Sequence, residues 1–367
     1  MEKKRLHIVT IICFAAFIGA LSIWNVAAPK RTVSWNENRT LAAAPDLSAS
    51  HIFGGRFDDD FENWFSDHFV ERDFWIELKS MVRKASLAIE NNDIYYAKGD
   101  RLVSRFDRVS EDVLTSNIQL IDEFTSAANT TANILLIPSA AWGAKKSLPF
   151  GAWDIDQDEL LRQLEPSFAS QNLIHFTEEA VPSSNLYFRT DHHWNEQGAY
   201  LGYAAICHQV LGKEPNRFTY ELASPDFIGT MYSRSGAFWT KPDPIYTILP
   251  EQPLSTTVTF DDGTVLDSIY SAKRLAEKDK YTYYADGNHG RGDIHTENGT
   301  GKRAVIIKDS YSHILLPYLI TEYEDIILID LRYYHDPVSQ LLEPDDDLYF
   351  IYSLDNFATD PNLAFLR

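Results

Sequence analysis

The stretch "RAVIIKDSYSHILLPYL", residues 303–319, decides the fold class. "AVII" is a short run of apolar, mostly β-branched residues, the composition of a strand buried on both faces. Asp309 and Ser310 stop that run, and "YSHILLPYL" opens an apolar pattern suited to a helix. The alternation continues downstream: "DIILIDLRYY" reads as a strand, "DPVSQLLE" as a helix and "DLYFIYSL" as a strand. Upstream, "SNIQLIDEFTSAAN" and "DQDELLRQLEPSFASQN" have helical spacing, while "NILLIPS" and "LIHF" are strand-like. "NEQGAYLGYAAICHQVLG" is long enough for a helix of about five turns. Short apolar strands alternating with helices predict an α/β layered domain with a mainly parallel sheet.

In open sheets of this kind, ligands bind beyond the carboxyl ends of the strands. Ser310 is expected at such an end. A serine there can present its hydroxyl as a nucleophile while backbone N–H groups opening the next helix face an oxyanion. It can equally cap that helix. Spacing alone leaves both readings open.

A second stretch, "RTDHHWNEQG" (residues 189–198), ends where a helix should begin near Asn195. In an extended backbone, side chains two apart share a face and neighbours oppose each other. Asp191 and His193 then face one way, His192 and Trp194 the other. A carboxylate bonded to one ring nitrogen fixes the tautomer and leaves the other nitrogen to act as a base. His193 is therefore the expected base, with His192 and Trp194 structural. A metal site competes with this: Asp191 and His193 could join a distant His289, His295 or His335 in a metal-dependent hydrolase. Neither an HExxH pattern nor a carboxylate-rich ligand loop is present. A third class, a non-catalytic protein binding envelope glycans, would use exposed aromatics.

The chain has 367 residues and a formal net charge of -20, which argues against nucleic acid as a partner. "MEKKR" precedes "LHIVTIICFAAFIGALSIW", about the ~20 apolar residues a bilayer helix needs, with the basic end on the cytoplasmic side. Residues 1–29 are read as a transmembrane anchor or signal peptide. The rest is then extracytoplasmic, or secreted if the segment is cleaved. Residues 30–110 are expected as a helical extension packed on the main domain, because aromatics recur at helical steps in "FDDDFENWFSDHFVERDFWIELKSMVRKA". Within it, "DIYYAKGDRLVSRF" reads as two short strands around a Gly-Asp turn. Residues 111–367 form the main domain, with an irregular insertion of loops and hairpins at about 213–300. Cys13 and Cys207 are the two cysteines, so no intrachain disulfide is expected.

The "TDHHW" and "KDSYS" motifs together resemble the DHHW family of exported bacterial proteins. They are also similar to the alginate-type periplasmic O-acetyltransferases, which have an SGNH-hydrolase-like fold. "ENRTLAAAP", "FDDDFENWFSDHFVERDFW", "TDHHWNEQGAY", "KDSYS" and "IDLRYY" occur in the family's order, and Lys308 departs from the usual Gly-Asp-Ser block. The resemblance implies a flavodoxin-like layered, SGNH-like domain with Ser310 as catalytic serine and Asp191 and His193 completing a triad. Asp309, His192 and Trp194 are then structural neighbours of the site. Gly287 and Asn288 in "DGNHG" stand as oxyanion candidates, and Arg332 and Tyr333 as substrate contacts. It further implies acyl (acetyl) transfer or ester hydrolysis on envelope polysaccharide, without a cofactor. The acyl donor could be delivered by a membrane protein.

Overall fold

The computed structural model describes residues 2–366 apart from 177–179 and 181. The chain divides into two compact units: Met1–Ala88 with Gly236–Trp239, and Ile89–Ser235 with Thr240–Arg367.

The first unit is helical. Helix α1 (Glu2–Ala27) is long and apolar enough to cross a membrane. At 1.5 Å per residue its 26 residues span roughly 39 Å. Helices α2 (Phe57–Asp67) and α3 (Arg72–Ala85) follow where the aromatic periodicity predicts them. The buried Asp67 carboxylate receives the Arg39 guanidinium and the Ala42 N–H, which tie the "ENRTL" loop to α2.

The second unit opens with strands β1 (Ile94–Ala97) and β2 (Arg101–Ser104), paired around the Gly-Asp turn expected there. Gly99 and Asp100 both take positive φ, +76° and +59°, as a tight hairpin requires. Helix α4 (Glu111–Ala128) is capped by the Ser110 hydroxyl and ends on Asn129 in the left-handed conformation. Strand β3 (Ala132–Ile137), helix α5 (Gln157–Leu164), strand β4 (Asn172–Ile174) and helix α6 (Glu196–Ile206) come next. A hairpin of β5 (Phe218–Phe227) and β6 (Asp243–Pro250) precedes β7 (Thr256–Phe260), β8 (Val265–Leu266) and β9 (Arg291–Thr296). Strands β10 (Arg303–Lys308), β11 (Asp325–Ile329) and β12 (Asp347–Ser353) complete the main sheet.

That sheet has the order β8-β7-β9-β11-β10-β12-β3-β4. The five strands from β11 to β4 are parallel, as the alternating pattern predicts. Their side chains alternate between two cores. Ile134, Val305, Ile307 and Phe350 join α4 on one face, while Leu135, Ile306 and Ile351 join α6 on the other. Helices on both faces explain why "AVII" and "ANILLI" carry no polar alternation. Each fully buried aliphatic side chain here is worth about 1.5–3 kcal/mol relative to exposure.

The stretch expected as an irregular insertion is more ordered than that. Strands β7, β8 and β9 extend the main sheet in antiparallel register, through β9 against β11. Strand β7 ("TTVTF") buries alternate residues only, so its signal was a half-polar five-residue alternation and not an apolar run. The segment after β10 also departs from a regular helix. Residues Ser310–Leu315 wind as a 3₁₀ turn before one α-turn, Leu316–Leu319.

Candidate active site

Ser310 lies at the carboxyl end of the central strand β10, where the Asp309 carboxylate fixes the turn. One Asp309 oxygen accepts the Tyr311 N–H at 2.9 Å. The other accepts the Ser353 N–H and hydroxyl and the Asn356 amide, at 2.7–2.8 Å. Asp309 thus pins the Ser310 turn to the end of β12. Because Tyr311 N–H is already taken by Asp309, it is not free to face an oxyanion in this state. Ser310 itself is half-buried.

The box of residues 189–194 forms a tight loop ahead of α6. Arg189 and Thr190 donate their N–H groups to the buried Asp243 carboxylate, at 2.8 Å each. Phe188 N–H meets His193 O at 3.1 Å, and Asn195 caps α6 through the N–H groups of Gln197 and Gly198. Trp194 is fully buried, with its indole N–H donating to Tyr311 O at 2.7 Å. A Cβ on Gly202 would stand 2.6 Å from the Trp194 ring, so glycine there admits the indole against α6. Trp194 therefore ties the histidine loop to the serine turn.

These two loops bring Asp191, His193 and Ser310 together. His193 Nδ1 lies 2.5 Å from Asp191 Oδ1, and His193 Nε2 lies 2.8 Å from Ser310 Oγ. A carboxylate only accepts, so Nδ1 carries the ring proton and Nε2 accepts from the serine hydroxyl. Asp191 also accepts the His193 N–H at 3.1 Å and the Thr230 N–H and hydroxyl at 2.8 and 3.0 Å. Burial opposes its ionisation, but His192, His193 and these hydrogen bonds hold its carboxyl well below the usual range. Burial, reinforced by His192, pushes the His193 imidazole down to about 4 against the pull of Asp191. At neutral pH the arrangement is an ionised aspartate, a neutral histidine and a serine.

Asp191 and His193 share a face, as alternation expects, but His192 does not turn away from them. The loop bends, and the two imidazoles lie side by side, with ring centroids 3.9 Å apart. His192 does not pack behind the site with Trp194. Its Nδ1 donates to Thr230 Oγ1 at 2.8 Å, and the ring stays partly exposed.

Several residues of the site were missed. Tyr281 stacks on His193 at 3.7 Å between centroids and 10° between planes, and its hydroxyl donates to Ser310 O at 2.8 Å. Thr230 holds Asp191, and Gly229 leaves room for it: a Cβ on Gly229 would lie 2.3 Å from Asp191 Cβ. All three come from the segment read as an insertion. None belongs to a residue type that flags chemistry, so only long-range pairing could have found them. Lys308, the departure from the usual glycine, is buried. Its ammonium donates to Asp330 at 3.0 Å and to His313 Nε2 at 2.8 Å. Burial lowers its pKa, and Asp330 partly offsets this.

The remaining candidates make contacts of their own. Arg332 grips Asp330 with two nitrogens, at 2.8 and 2.6 Å, and reaches Asn288 Oδ1 at 3.4 Å. Tyr333 is exposed beside the Arg332 guanidinium. Gly287, at φ +92°, lies in a turn against Thr282. Among the described residues, no hydrogen bond links Gly287, Asn288 or Tyr333 to the Asp191–His193–Ser310 group. The distant histidines do not join it either: His289 stacks on Phe260, His295 pairs with Asp325 and His335 lies tilted against Phe365. Asp191, His192 and His193 do offer three ligand atoms within 4.8 Å of one another. Asp191 and both ring nitrogens of His193 are already committed to the contacts above.

The second unit is thus an α/β protein with an aspartate–histidine–serine constellation at the strand ends of a mainly parallel sheet. Residues 175–329 match the family model described as DHHW protein, so the resemblance carried by "TDHHW" and "KDSYS" holds. Among solved structures, the chain is similar to a DHHW family protein from Eubacterium siraeum, with TM-score 0.63 and 19% identity over 76% of this chain and 96% of that one. It is similar also to Bacillus cereus PatB1 solved with a sulfonyl adduct, with TM-score 0.60 and 23% identity over 75% of this chain and all (100%) of that one. The O-acetyltransferase domain of Pseudomonas putida AlgJ matches at TM-score 0.47 and 10% identity, over 75% of this chain and 95% of that one. The first two likenesses establish the fold of the main domain. No curated protein matches the chain in sequence.

Proposed function

We propose that this protein is an extracytoplasmic, SGNH-like acyl (acetyl) transferase or esterase acting on cell-envelope carbohydrate through an acyl-Ser310 intermediate. The observation that carries the reading is the chain of contacts from Asp191 through His193 to Ser310, at 2.5 and 2.8 Å. Ser310 Oγ attacks the acyl carbonyl while His193 Nε2 takes its proton, and Asp191 stabilises the imidazolium. His193 then protonates the departing alcohol. In the second half, His193 deprotonates a sugar hydroxyl or water, which attacks the acyl-serine and frees Ser310. Arg332 and Tyr333 are candidate carbohydrate contacts, and Gly287 and Asn288 candidate oxyanion donors. The resemblance carried by "TDHHW" and "KDSYS" favours acetyl as the group, and helix α1 favours attachment to the membrane.

The test is turnover of a chromogenic acetyl ester by the purified chain. Ser310→Ala should abolish it, and a chelator should leave it unchanged. A second reading, a metal-dependent hydrolase, rests on the three ligand atoms of Asp191, His192 and His193. Loss of activity with chelator, restored by added zinc, would select that reading instead.

A further inference from the structure

Helices α2 and α3 each turn an apolar stripe outward that nothing among the described residues covers. On α2, Phe57, Phe61 and Phe65 recur every four residues, with ring centroids 5.9 and 6.0 Å apart. On α3, Phe74, Leu78, Met81 and Val82 follow the same helical period. Phe61, Phe65 and the four α3 residues are 37–56% exposed. The stripe is not the packed face of α3. That face carries Ile76 and the fully buried Ser80, where a Cβ on Gly236 would stand 2.6 and 2.8 Å from their side chains. Asp59 and Glu62 on α2 and Arg72, Lys79 and Arg83 on α3 lie away from the stripes, while Asp58 and Glu77 border them. Isolated exposed leucines need no explanation, but two adjacent amphipathic helices with aromatic stripes do.

The same unit shows what lies next to them. The link between α2 and α3 is bonded to the end of α1. Asn25, buried two residues from that end, accepts the Val70 N–H on its side-chain oxygen at 2.9 Å. Lys30 donates to Asn25 O at 2.7 Å and to His68 O at 3.3 Å, and His68 Nε2 donates to Arg31 O at 2.9 Å. Trp24, half-exposed at this level of α1, is the residue type that marks a membrane–water boundary. The point where α1 would leave the bilayer is thus the point where α2 ends and α3 begins.

We infer that α2 and α3 form an interfacial collar, lying in the plane of the outer face of the membrane with the Phe61–Phe65 and Phe74–Val82 stripes in the lipid. This rests on reading α1 as a membrane helix. The occupant is lipid, and not a soluble partner, because α1 and the stripes are parts of one hydrogen-bonded unit. Amphipathic helices with large aromatic and aliphatic residues on one face bind at the headgroup–acyl boundary in this way.

The test uses the full chain in phosphatidylcholine vesicles, in a Cys13→Ala, Cys207→Ala background. Single cysteines at Phe61, Leu78, Glu62 and Lys79 carry an NBD fluorophore, with Phe14→Cys as the reading of α1. Labels at 61 and 78 should be quenched by shallow doxyl lipid at least about twofold more than labels at 62 and 79. Equal, weak quenching at all four positions overturns the collar, whatever the label at 14 reports. A quenched label at 14 with unquenched 61 and 78 leaves the anchor standing and removes the collar. Quenched 61 and 78 with an unquenched 14 keeps the collar and removes the anchor. Crosslinking of 61 and 78 to a protein, without lipid quenching, also overturns the proposal.

Discussion

His193 is a histidine held neutral by burial and aimed by one carboxylate. Its imidazole, pushed down to about 4, is an unprotonated base throughout the neutral range. The sign of the pH dependence follows. Lowering the pH through about 4 protonates Nε2 and removes the acceptor for the Ser310 proton. The kcat/KM profile should be flat through neutrality and fall on the acid side near that value, below the ordinary histidine value of about 6.5. A limb at 6.5 would mean that the ring is solvated during turnover. Substitutions divide the two histidines. His193→Ala should lower ester turnover by several orders of magnitude, as loss of a member of such a unit does. His192→Gln keeps a donor to Thr230 and should stay within about tenfold of the parent. Equal collapse of both variants, with folding intact, would indicate that both rings hold one ligand.

At the level of elements, the site is a junction of two strand-end loops and the segment between them. The strand ends were legible in the sequence, because "AVIIKDS" and "TDHHW" join a buried run or a helix start to residue types that do chemistry. Tyr281, Thr230 and Gly229 were not. They are common residues in a stretch of turn formers, and their value comes only from pairings with residues about 30 to 90 positions away. Strands β7 and β9 were hidden for a related reason, since each is short and alternates polar with apolar. His192 was misjudged because alternation holds along a strand and not around a bent loop. Gly229→Ala tests the junction: a new Cβ 2.3 Å from Asp191 must push aside a carboxylate held by four hydrogen bonds. Turnover should fall about 100-fold with little change in Tm, since small displacements of catalytic groups are costly. Unchanged kinetics would show that the loop yields freely. The neighbouring ends of β10 and β11 carry a second test. Asp330→Asn removes the carboxylate between the buried Lys308 ammonium and Arg332. An uncompensated buried cation should cost about 3–5 kcal/mol and lower Tm clearly. An unaltered Tm would mean that Lys308 has lost its proton.

The whole molecule sets the field in which any substrate approaches. Its 53 acidic against 33 basic residues give a formal charge of -20, spread along the entire chain. Such a charge does nothing for the bond made at Ser310, but it repels an anionic polymer before contact. Exposed charges interact over about 10 Å at 0.1 M salt, so the repulsion should be strong in dilute buffer and weak in concentrated buffer. For an anionic glycan ester, kcat/KM should therefore rise several-fold as salt increases from about 0.02 to 0.2 M. A neutral ester of similar size should show no such change, because it feels no net force. Steady-state rates on the pair, measured at one pH, separate this field effect from any influence of salt on the protein itself. The opposite slope, with the anionic ester slowed by salt, would mean that local cations overrule the global charge. Arg332 and Lys308, at the same end of the sheet as Ser310, are the residues to substitute next in that case.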